Sequence, residues 1–553
     1  MKFAAKRLPL LMALAIALPT FAQTLPARTF KHIIIIVMEN RTPDNIFGSQ
    51  PASSGGTCGT ENPFEPGVDI ENGGNIAGYA HNPVCLTSVD ITGKINGQGG
   101  NYDHSFPGWT TDYHNGGMDG FCHKYNNTVP CPPMSFVPMS EVQPYFDIAT
   151  NYGFANYMFQ SNEGPSFPAH QFLFGGTSAP AKPGNPNFNW FVAENGGAFF
   201  HGMGCPTTTF HPQWVDPGRN ENLENNQPMC YDHPTLVDQL TATGTTWRDY
   251  IPQLGTIWDA PEAIQALCLP IQNGQCAGWP FTGNNIVWPG KPGGPPSSTL
   301  APILNDIANC SLQQVSWVIP DEAASDHPGN KGLGPSFVAN IVDAVGNSYM
   351  NTGGRCDYWG YGHNSSNPEP TAIFIAWDDW GGFYDHVKPW AVYAGDQKLD
   401  GTWECKPPNG GKGAPNGWGC GYTSGFRVPL LVVSEYTQAG YVSGPCAANG
   451  CNNNKFPYQH DFGSILAFTE SNFGMKTIDQ SGHNGYADNN APDWDANHQV
   501  APLSDFFSLG WQRTFTPITP LPGQDSNFFL NYYGNPAMGS PSPQGPDGGP
   551  DDD

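Results

Sequence analysis

Four short apolar runs divide the chain into segments. They cover residues 33–37, 315–319, 372–376 and 428–433. The first and third are β-branched and aromatic-rich runs of strand length without polar alternation, which is typical of strands buried on both faces of a parallel sheet. We interpret all four as strands.

Segments with the apolar spacing of helices lie between and after these strands. They cover residues 142–159, 235–242, 337–345 and 462–473. Strands that alternate with helices predict an α/β domain with a mostly parallel sheet and helices on both faces. We expect one main domain, residues 23–535, rather than several.

Polar side chains directly follow two of the predicted strands. The first run stops at Glu39 and Asn40, and the third at Asp378 and Asp379. Because parallel sheets bind ligands beyond the carboxyl ends of their strands, we expect these four side chains to converge in one crevice. Read separately, Glu39-Asn40 could begin an ordinary turn and Asp378-Asp379 could cap a helix.

Four oxygen donors in one crevice predict a divalent metal cation. Carboxylate and amide oxygens suit Mg²⁺, Ca²⁺ or Mn²⁺, and a bridging serine would also suit Zn²⁺ or Fe. Ser166 is a candidate for that serine, since it lies between the turn-forming pair Gly164-Pro165 and Pro168. A serine held rigidly at a turn can be aimed at a metal that stabilises its alkoxide. Taken alone, a Gly-Pro-Ser turn does not identify a nucleophile.

The charge balance limits the classes of partner. Only 13% of the residues are charged, yet the formal net charge is -26. A strongly acidic surface argues against nucleic acid and against electrostatic docking on anionic membranes. Small anionic substrates remain compatible, because a bound metal can invert the field inside one pocket.

The first residues have the pattern of a secretory signal peptide. Lys2, Lys6 and Arg7 precede an apolar segment, residues 8–21, and small residues suit cleavage after Ala22. No later segment has the roughly 20 apolar residues that a membrane span needs. We therefore expect residues 1–22 to be a signal peptide and the protein to be secreted or periplasmic.

The cysteines predict disulfide-stapled loops. All 14 follow the apolar segment, an even number in a chain expected to reach an oxidising compartment. Close neighbours could pair, although sequence does not fix the connectivity: 122 with 131, 268 with 276, 405 with 420, and 446 with 451.

Long stretches rich in Gly, Pro and Asn, about 48–100, 179–227, 274–298 and 353–370, are expected to be loop insertions, and residues 536–553 a disordered acidic tail.

Eight short motifs, in order, resemble those of a known family. They are 38–48 (MENRTPDNIFG), 103–105 (DHS), 117–121 (GMDGF), 164–168 (GPSFP), 325–328 (SDHP), 377–387 (WDDWGGFYDHV), 427–429 (RVP) and 460–466 (HDFGSIL). Together they resemble the secreted phosphoesterase family of bacterial phospholipases C and acid phosphatases, across most of residues 30–507. That resemblance implies an alkaline-phosphatase-like fold with the metal site and nucleophile at the carboxyl edge of the sheet.

The resemblance also implies roles for individual residues. It makes Glu39, Asn40, Asp378 and Asp379 metal ligands, together with Ser166 as the covalent nucleophile. His104 and His327 match histidines that the family places around the phosphoryl group, where each could stabilise the transition state or protonate the leaving group.

Other polar residues in these motifs have two interpretations each. His386 and His460 either act directly or support the metal ligands from outside. Arg41 could clamp phosphate or pair with Asp44 or another carboxylate. Six other histidines are expected to be at the surface or structural: His114, His123, His170, His211, His363 and His483.

These features predict a metal-dependent phosphoesterase that forms a phosphoserine intermediate and acts on a small phosphate ester or a phospholipid. Serine at position 166 and the pair Asp378-Asp379 resemble the acid phosphatase branch, since phospholipases C often have Thr and Asp-Glu there. The chain also ends soon after the catalytic region, where larger phospholipases C continue. We therefore expect a phosphomonoesterase, with phospholipase C as the alternative. A non-catalytic secreted carbohydrate-binding protein is a second alternative, favoured by the Trp, Asn and Gly content.

Overall fold

The computed structural model describes most of the predicted domain. The described residues are 25–48, 50–51, 60–61, 86–93, 100–114, 117–128, 130–179, 191–193, 204–207, 214–215, 221–222, 229–288, 299–389, 396–397, 403–404, 424–444, 459–478 and 503–532. The predicted signal peptide (1–22) and tail (536–553) lie outside them, as do His211, His483 and parts of the predicted insertions 48–100, 179–227 and 274–298. Residues 353–370 are described and contain neither helix nor strand.

A mixed, mostly parallel sheet of eight strands forms the centre of the described structure. Its strands are β1 (His32–Met38), β2 (Gly153–Ala155), β3 (Trp247–Tyr250), β4 (Ile286–Val287), β5 (Val315–Val318), β6 (Thr371–Trp377), β7 (Leu430–Val433) and β8 (Tyr441–Ser443). Their spatial order is β4-β3-β5-β1-β6-β7-β2-β8. β7 pairs antiparallel with both β6 and β2, so it alone of the eight runs opposite to the others.

Shorter strands pair outside this sheet. They are Gln50–Pro51 with Thr60–Glu61, Thr87–Ser88 with Ser135–Phe136, Met158–Phe159 with His460–Asp461, Ile271–Gln272 with Gln275–Cys276, Asp396–Gln397 with Trp403–Glu404, and the three-stranded set Phe191–Val192, Trp214–Val215 and Glu221–Asn222.

Helices surround the sheet. They are α1 (Pro43–Phe47), α2 (Phe106–Tyr113), α3 (Gln143–Asn151), α4 (Ser166–Gly175), α5 (Leu236–Thr243), α6 (Gln265–Cys268), α7 (Trp279–Thr282), α8 (Leu300–Ala308), α9 (Gly334–Gly346), α10 (Ser348–Asn351), α11 (Phe462–Phe473) and α12 (Ser526–Tyr532). Ring contacts from β6 show that both faces are covered. Trp377 packs on Tyr145 of α3 with centroids 5.0 Å apart, and Phe374 packs on Phe468 of α11 at 5.3 Å. Because Phe374 and Trp377 are three positions apart on one strand, they point to opposite faces.

β1 and β6 lie side by side in the middle of the sheet, and every residue of both strands is buried. They pair in parallel from His32 with Thr371 to Met38 with Trp377. Burial on both faces explains why neither strand alternates polar with apolar residues. This register brings the residues that follow the two strands to the same edge of the sheet.

The α/β prediction with a mostly parallel sheet is confirmed, and all four predicted strands are present. The prediction of one helix over residues 142–159 is wrong. α3 ends at Asn151, and the chain then enters β2, which pairs between β7 and β8. An apolar run of this kind fits a buried helix or a buried strand equally well, so only the pairing partners decide.

Four disulfides link described cysteines. Cys122–Cys131 and Cys268–Cys276 confirm two of the predicted neighbour pairs, whereas Cys205–Cys230 and Cys310–Cys356 join cysteines that are farther apart in sequence. The other two predicted pairs lie outside the described residues. Among the residues that are described, no helix is both long and apolar enough to cross a bilayer.

Candidate active site and metal centre

The ends of β1 and β6 form the floor of the candidate site. The backbone nitrogen of Asp378 donates a hydrogen bond of 2.9 Å to the carbonyl oxygen of Met38, which continues the pairing of the two strands. Beyond this bond, Glu39, Asn40, Asp378 and Asp379 are at most 1% exposed. The structure therefore brings these four predicted ligands together in one buried cluster.

Backbone hydrogen bonds fix one oxygen of each aspartate. Asp378 Oδ1 accepts bonds from the backbone nitrogens of Asn40 at 3.0 Å and Asp379 at 2.7 Å, and Asp379 Oδ1 accepts one from Gly381 at 2.7 Å. Asn40 itself has the left-handed φ of 54°, a conformation that asparagine tolerates better than most residues. Gly381 packs against this turn so closely that a Cβ on it would lie 2.6 Å from Asn40 Cβ. The second carboxylate oxygens, both Oδ2 atoms, are thereby held in fixed positions.

Ser166 is the first residue of α4, and its hydroxyl lies among these carboxylates. Ser166 Oγ is 3.1 Å from Asp379 Oδ2 and 3.3 Å from Glu39 Oε2. The turn before it is fixed by Asn162 Nδ2, which donates to the carbonyl oxygen of Gly164 at 2.8 Å. At a helix N-terminus the exposed backbone N–H groups and the helix dipole favour a negative charge. A phosphate ester on Ser166 would therefore be in a favourable field.

His170 belongs to this cluster, although we expected it to be a surface or structural residue. Its side chain is buried, and Nε2 lies 3.6 Å from Glu39 Oε1 and 3.6 Å from Asp378 Oδ2. His170 follows Ser166 by four residues on α4, so the two side chains share one face of the helix. That spacing was the signal in the sequence that could have identified it.

The charges of the cluster favour a bound cation. Burial and the neighbouring Asp378 carboxylate raise the pKa of Glu39 to about 7, and burial with the same neighbour raises the pKa of Asp379 well above its ordinary value. Burial alone would lower the pKa of His170, but the carboxylates of Asp378 and Glu39 outweigh it and raise that pKa to about 9. Three carboxylates in one dry site repel each other unless a cation compensates them.

Unsatisfied polar atoms support the same interpretation. Asn40 Oδ1, Asp378 Oδ2 and His170 Nε2 are buried and have no hydrogen-bond partner in the structure. Buried polar atoms normally have partners, so three such atoms in one cluster need an explanation. Glu39, His170 and Asp378 each offer one ligand atom, and these atoms lie within 4.8 Å of one another. The donor set of carboxylate, amide and imidazole therefore fits the predicted divalent cation.

His104 contacts a candidate ligand. Its Nδ1 is 2.6 Å from the carbonyl oxygen of Tyr102, so Nδ1 carries a proton and donates it. Its Nε2 lies 3.1 Å from Asn40 Nδ2 and accepts a hydrogen bond from that amide. This bond turns the opposite end of the amide, the unsatisfied Oδ1, away from His104, so His104 orients the oxygen that a metal would use.

His327 lies close to His104 but on another segment. The centroids of the two rings are 6.4 Å apart, and the His327 side chain is only partly buried. Its Nδ1 is 2.8 Å from the carbonyl oxygen of Pro328. The structure therefore places a partly exposed imidazole beside His104. Its role in catalysis stays a prediction.

Arg41 is fully buried, and burial lowers its pKa while the carboxylate of Asp326 raises it. A contact of Arg41 with phosphate stays a prediction. The guanidinium donates to the carbonyl oxygen of Asp326 from Nε at 3.1 Å and from Nη2 at 2.8 Å, and to Asn45 Oδ1 at 3.0 Å. It also lies over the ring of Phe383, 4.9 Å from the centroid. Asp326 immediately precedes His327, so Arg41 holds the turn that carries this histidine.

The remaining two predicted residues lie in separate buried networks. His386 Nδ1 is 2.9 Å from Asp44 Oδ2, and the same aspartate is bound by Arg427 Nη2 at 3.1 Å. His460 Nε2 is 2.7 Å from Ser443 Oγ at the end of β8. Asp44 lies in the first turn of α1, four residues after Asn40. An effect of either histidine on the metal ligands stays a prediction.

Sequence comparisons find similar proteins over most of this chain. A sequence model described as the Phosphoesterase family matches residues 30–476. A non-hemolytic phospholipase C of Pseudomonas aeruginosa is 24% identical over 492 residues, which cover 85% of this chain and 58% of that protein. A non-hemolytic phospholipase C of Burkholderia pseudomallei is 23% identical, with coverages of 83% and 57%. Phospholipase C B of Mycobacterium tuberculosis (strain H37Rv) is 26% identical, with coverages of 74% and 69%.

The match to the first two relatives spans less than two thirds of their length. A solved structure, that of Ps i-CgsB in complex with k-i-k-neocarrahexaose, matches over 63% of this chain and 69% of its own at 10% identity, with a TM-score of 0.25. A score of this size does not establish a common fold.

Proposed function

Since the chain belongs to the Phosphoesterase family, we propose that it is a metal-dependent hydrolase that cleaves phosphate esters through a phosphoserine on Ser166. The observation that carries this proposal is the position of the Ser166 hydroxyl. It lies at a helix N-terminus, 3.1 Å from Asp379 Oδ2 and 3.3 Å from Glu39 Oε2, beyond the carboxyl ends of two parallel strands. The same placement supports an alkaline-phosphatase-like fold.

In the first step, Ser166 Oγ attacks phosphorus and the bond to the leaving oxygen breaks. The hydroxyl proton passes to Asp379 Oδ2, which already accepts its hydrogen bond. The leaving alkoxide takes a proton from His327, whose partly exposed ring lies beside the cluster. In the second step, water attacks the same phosphorus and gives a proton to His327, the bond to Oγ breaks, and the proton held by Asp379 returns to the serine. Inorganic phosphate leaves.

A divalent cation held by Glu39, Asn40, Asp378, Asp379 and Ser166 would lower the pKa of the serine hydroxyl and neutralise charge on the phosphoryl oxygens. The chain's own residues prepare this arrangement. Backbone N–H groups hold one oxygen of each aspartate, and His104 orients the Asn40 amide. The site therefore needs little reorganisation during the reaction, which is the main source of electrostatic stabilisation in enzymes.

For the substrate, we propose a small phosphomonoester. Serine at position 166 and aspartate at position 379 support this choice through their resemblance to acid phosphatases. The names of the relatives favour a second candidate, phospholipase C. Turnover of a soluble aryl phosphate and of phosphatidylcholine vesicles should be compared at equal enzyme concentration. Hydrolysis of the vesicles alone would replace the phosphomonoesterase proposal by the phospholipase C one.

The nucleophile is tested by Ser166→Ala. We expect kcat to fall by about 10⁴-fold or more, as in other enzymes that lose a covalent nucleophile. Ser434→Ala is the matched control: Ser434 is also buried, but it follows the antiparallel strand β7 and so lies at the opposite edge of the sheet. Near-normal turnover by Ser166→Ala would exclude the covalent mechanism.

Export also stays a proposal, supported by the predicted signal peptide.

A further inference from the structure

The most unusual group in the cluster is the His170 side chain. It is 2% exposed, and its Nε2 has no hydrogen-bond partner in the structure. Two carboxylate oxygens, Glu39 Oε1 and Asp378 Oδ2, each lie 3.6 Å from this nitrogen. Asp378 Oδ2 has no hydrogen-bond partner either.

These distances are longer than those of a charge-assisted hydrogen bond between a protonated histidine and a carboxylate. Charge-assisted hydrogen bonds close to about 2.7–2.9 Å. The same protein contains such pairs: His386 Nδ1 is 2.9 Å from Asp44 Oδ2, and His363 Nδ1 is 2.8 Å from Asp357 Oδ1. His170 Nε2 is farther from both of its neighbours and equally distant from each.

The spacing does fit donors that share one ion. Two donors with bonds of about 2.1 Å to one metal lie about 3.0–3.4 Å apart in octahedral or tetrahedral geometry. Donor separations of 3.6 Å are close to this range, and a small contraction on binding would reach it. Asn40 Oδ1, the third unsatisfied atom of the cluster, supplies a further donor.

We propose that His170 Nε2 binds the metal directly and that the site therefore takes a transition-metal ion rather than Mg²⁺ or Ca²⁺. This inference rests on the proposed function. Imidazole suits Zn²⁺, Fe²⁺ and similar ions, whereas Mg²⁺ and Ca²⁺ prefer oxygen donors only. The oxygen ligands predicted from the sequence leave all these ions open, and one nitrogen ligand narrows the choice.

Pulsed electron paramagnetic resonance of the Mn²⁺-loaded full chain tests the nitrogen ligand. We expect the modulation of a directly bound ¹⁴N nucleus in the wild-type protein and its replacement by the ¹⁵N pattern after growth on ¹⁵N-histidine. His170→Gln should abolish the modulation. His233→Gln is the matched control and should keep it, because His233 is also buried but lies at the other end of α4, near Gly175.

A second readout is metal selectivity. When the metal-free protein is equilibrated with equal Mn²⁺ and Mg²⁺, we expect at least about tenfold more bound Mn²⁺ than Mg²⁺, and His170→Gln should reduce this ratio by about 10-fold. Absence of nitrogen modulation from the wild-type protein overturns the inference even if the variant fails to fold. Hydrolysis that needs a metal but shows no bound nitrogen would refute the ligand role of His170 and leave the phosphoserine mechanism intact.

Discussion

Replacement of Arg41 by methionine should reduce catalysis by displacing His327. The guanidinium donates two hydrogen bonds to the carbonyl oxygen of Asp326, at 3.1 and 2.8 Å, one to Asn45 at 3.0 Å, and one to the carbonyl oxygen of Ile91. Asp326 has a left-handed φ of 74°, which is unfavourable for a residue with a side chain. Methionine fills much of the same volume but cannot hold this turn.

The expected loss of stability follows from the number and burial of these hydrogen bonds. Removal of one partner from a buried charged network destabilises a protein by about 3–5 kcal/mol, and we expect a similar loss for Arg41→Met in urea unfolding. If His327 is displaced, kcat should fall by about 10²- to 10³-fold, the loss seen when one donor to the transition state is removed. Arg248→Met is the control for lost arginine contacts, because Arg248 binds Asp306 and Asn284 away from the site.

A double-mutant cycle separates positioning from direct contact with phosphate. If Arg41 acts through His327, then Arg41→Met should reduce kcat by less than about threefold in a His327→Ala background, because the two effects share one cause. If the two reductions of kcat multiply in the double variant, Arg41 acts independently of His327. That result would refute its positioning role. Arg41→Lys, which retains the charge but not the fork of donors, provides the same test if the methionine variant does not fold.

Three further predictions concern stability, the nucleophile turn and the metal. Burial lowers the pKa of His32 to about 4 from its ordinary 6.5, so protonation favours the unfolded chain, and stability present above pH 6.5 is lost as the pH falls toward 4. The wild-type protein should lose about 2 kcal/mol more unfolding free energy between pH 7.5 and 5 than His32→Gln. An equal loss in both proteins would contradict a lowered pKa of His32. Gly164→Ala places a Cβ 2.0 Å from the carbonyl oxygen of Ala193. It should destabilise the protein by about 1–3 kcal/mol and lower kcat. Gly510→Ala, whose Cβ would have its nearest neighbouring atom at 3.9 Å, should change neither. Removal of metal by a chelator should abolish hydrolysis and lower the Tm. Adding metal at about 100 times its Kd should restore about 2.7 kcal/mol of unfolding free energy. If the chelator changes neither Tm nor turnover, the protein does not depend on a metal.

The centre of the fold was predictable because its signals are local. β1 and β6 are buried on both faces, so their apolar runs stand out, and the carboxylates that follow them mark the edge of the sheet. The helix over residues 462–473 was also predicted with its correct bounds from its apolar spacing. In the structure, Asp461 forms a capping box with Ser464 at its start.

Features that depend on distant partners were not predictable. β7 is an apolar run like the parallel strands β1 and β6, and nothing in its own residues indicates that it runs antiparallel to its neighbours. β3 contains Arg248 and Asp249 and so lacks an apolar run, although it pairs with β5 in the sheet. The direction of β7 and the place of β3 in the sheet both depend on which strands pair in three dimensions. The residues of one strand do not indicate its pairing partners.

The candidate site shows the same division. Motifs identified Glu39, Asn40, Ser166 and the two aspartates, which the structure places together, but their chemical roles stay predictions. The sequence did not reveal that His104 orients Asn40, or that Arg41 holds the turn before His327, because both are contacts between segments that are far apart in the chain.

The stereochemistry at phosphorus tests the phosphoserine mechanism most directly. A phosphate monoester made chiral at phosphorus with sulfur and oxygen isotopes should be hydrolysed by the wild-type protein in isotopically labelled water. Attack by Ser166 followed by attack by water consists of two in-line displacements, each of which inverts the configuration. We therefore expect net retention. Net inversion would mean that water attacks the ester directly and would contradict the phosphoserine mechanism.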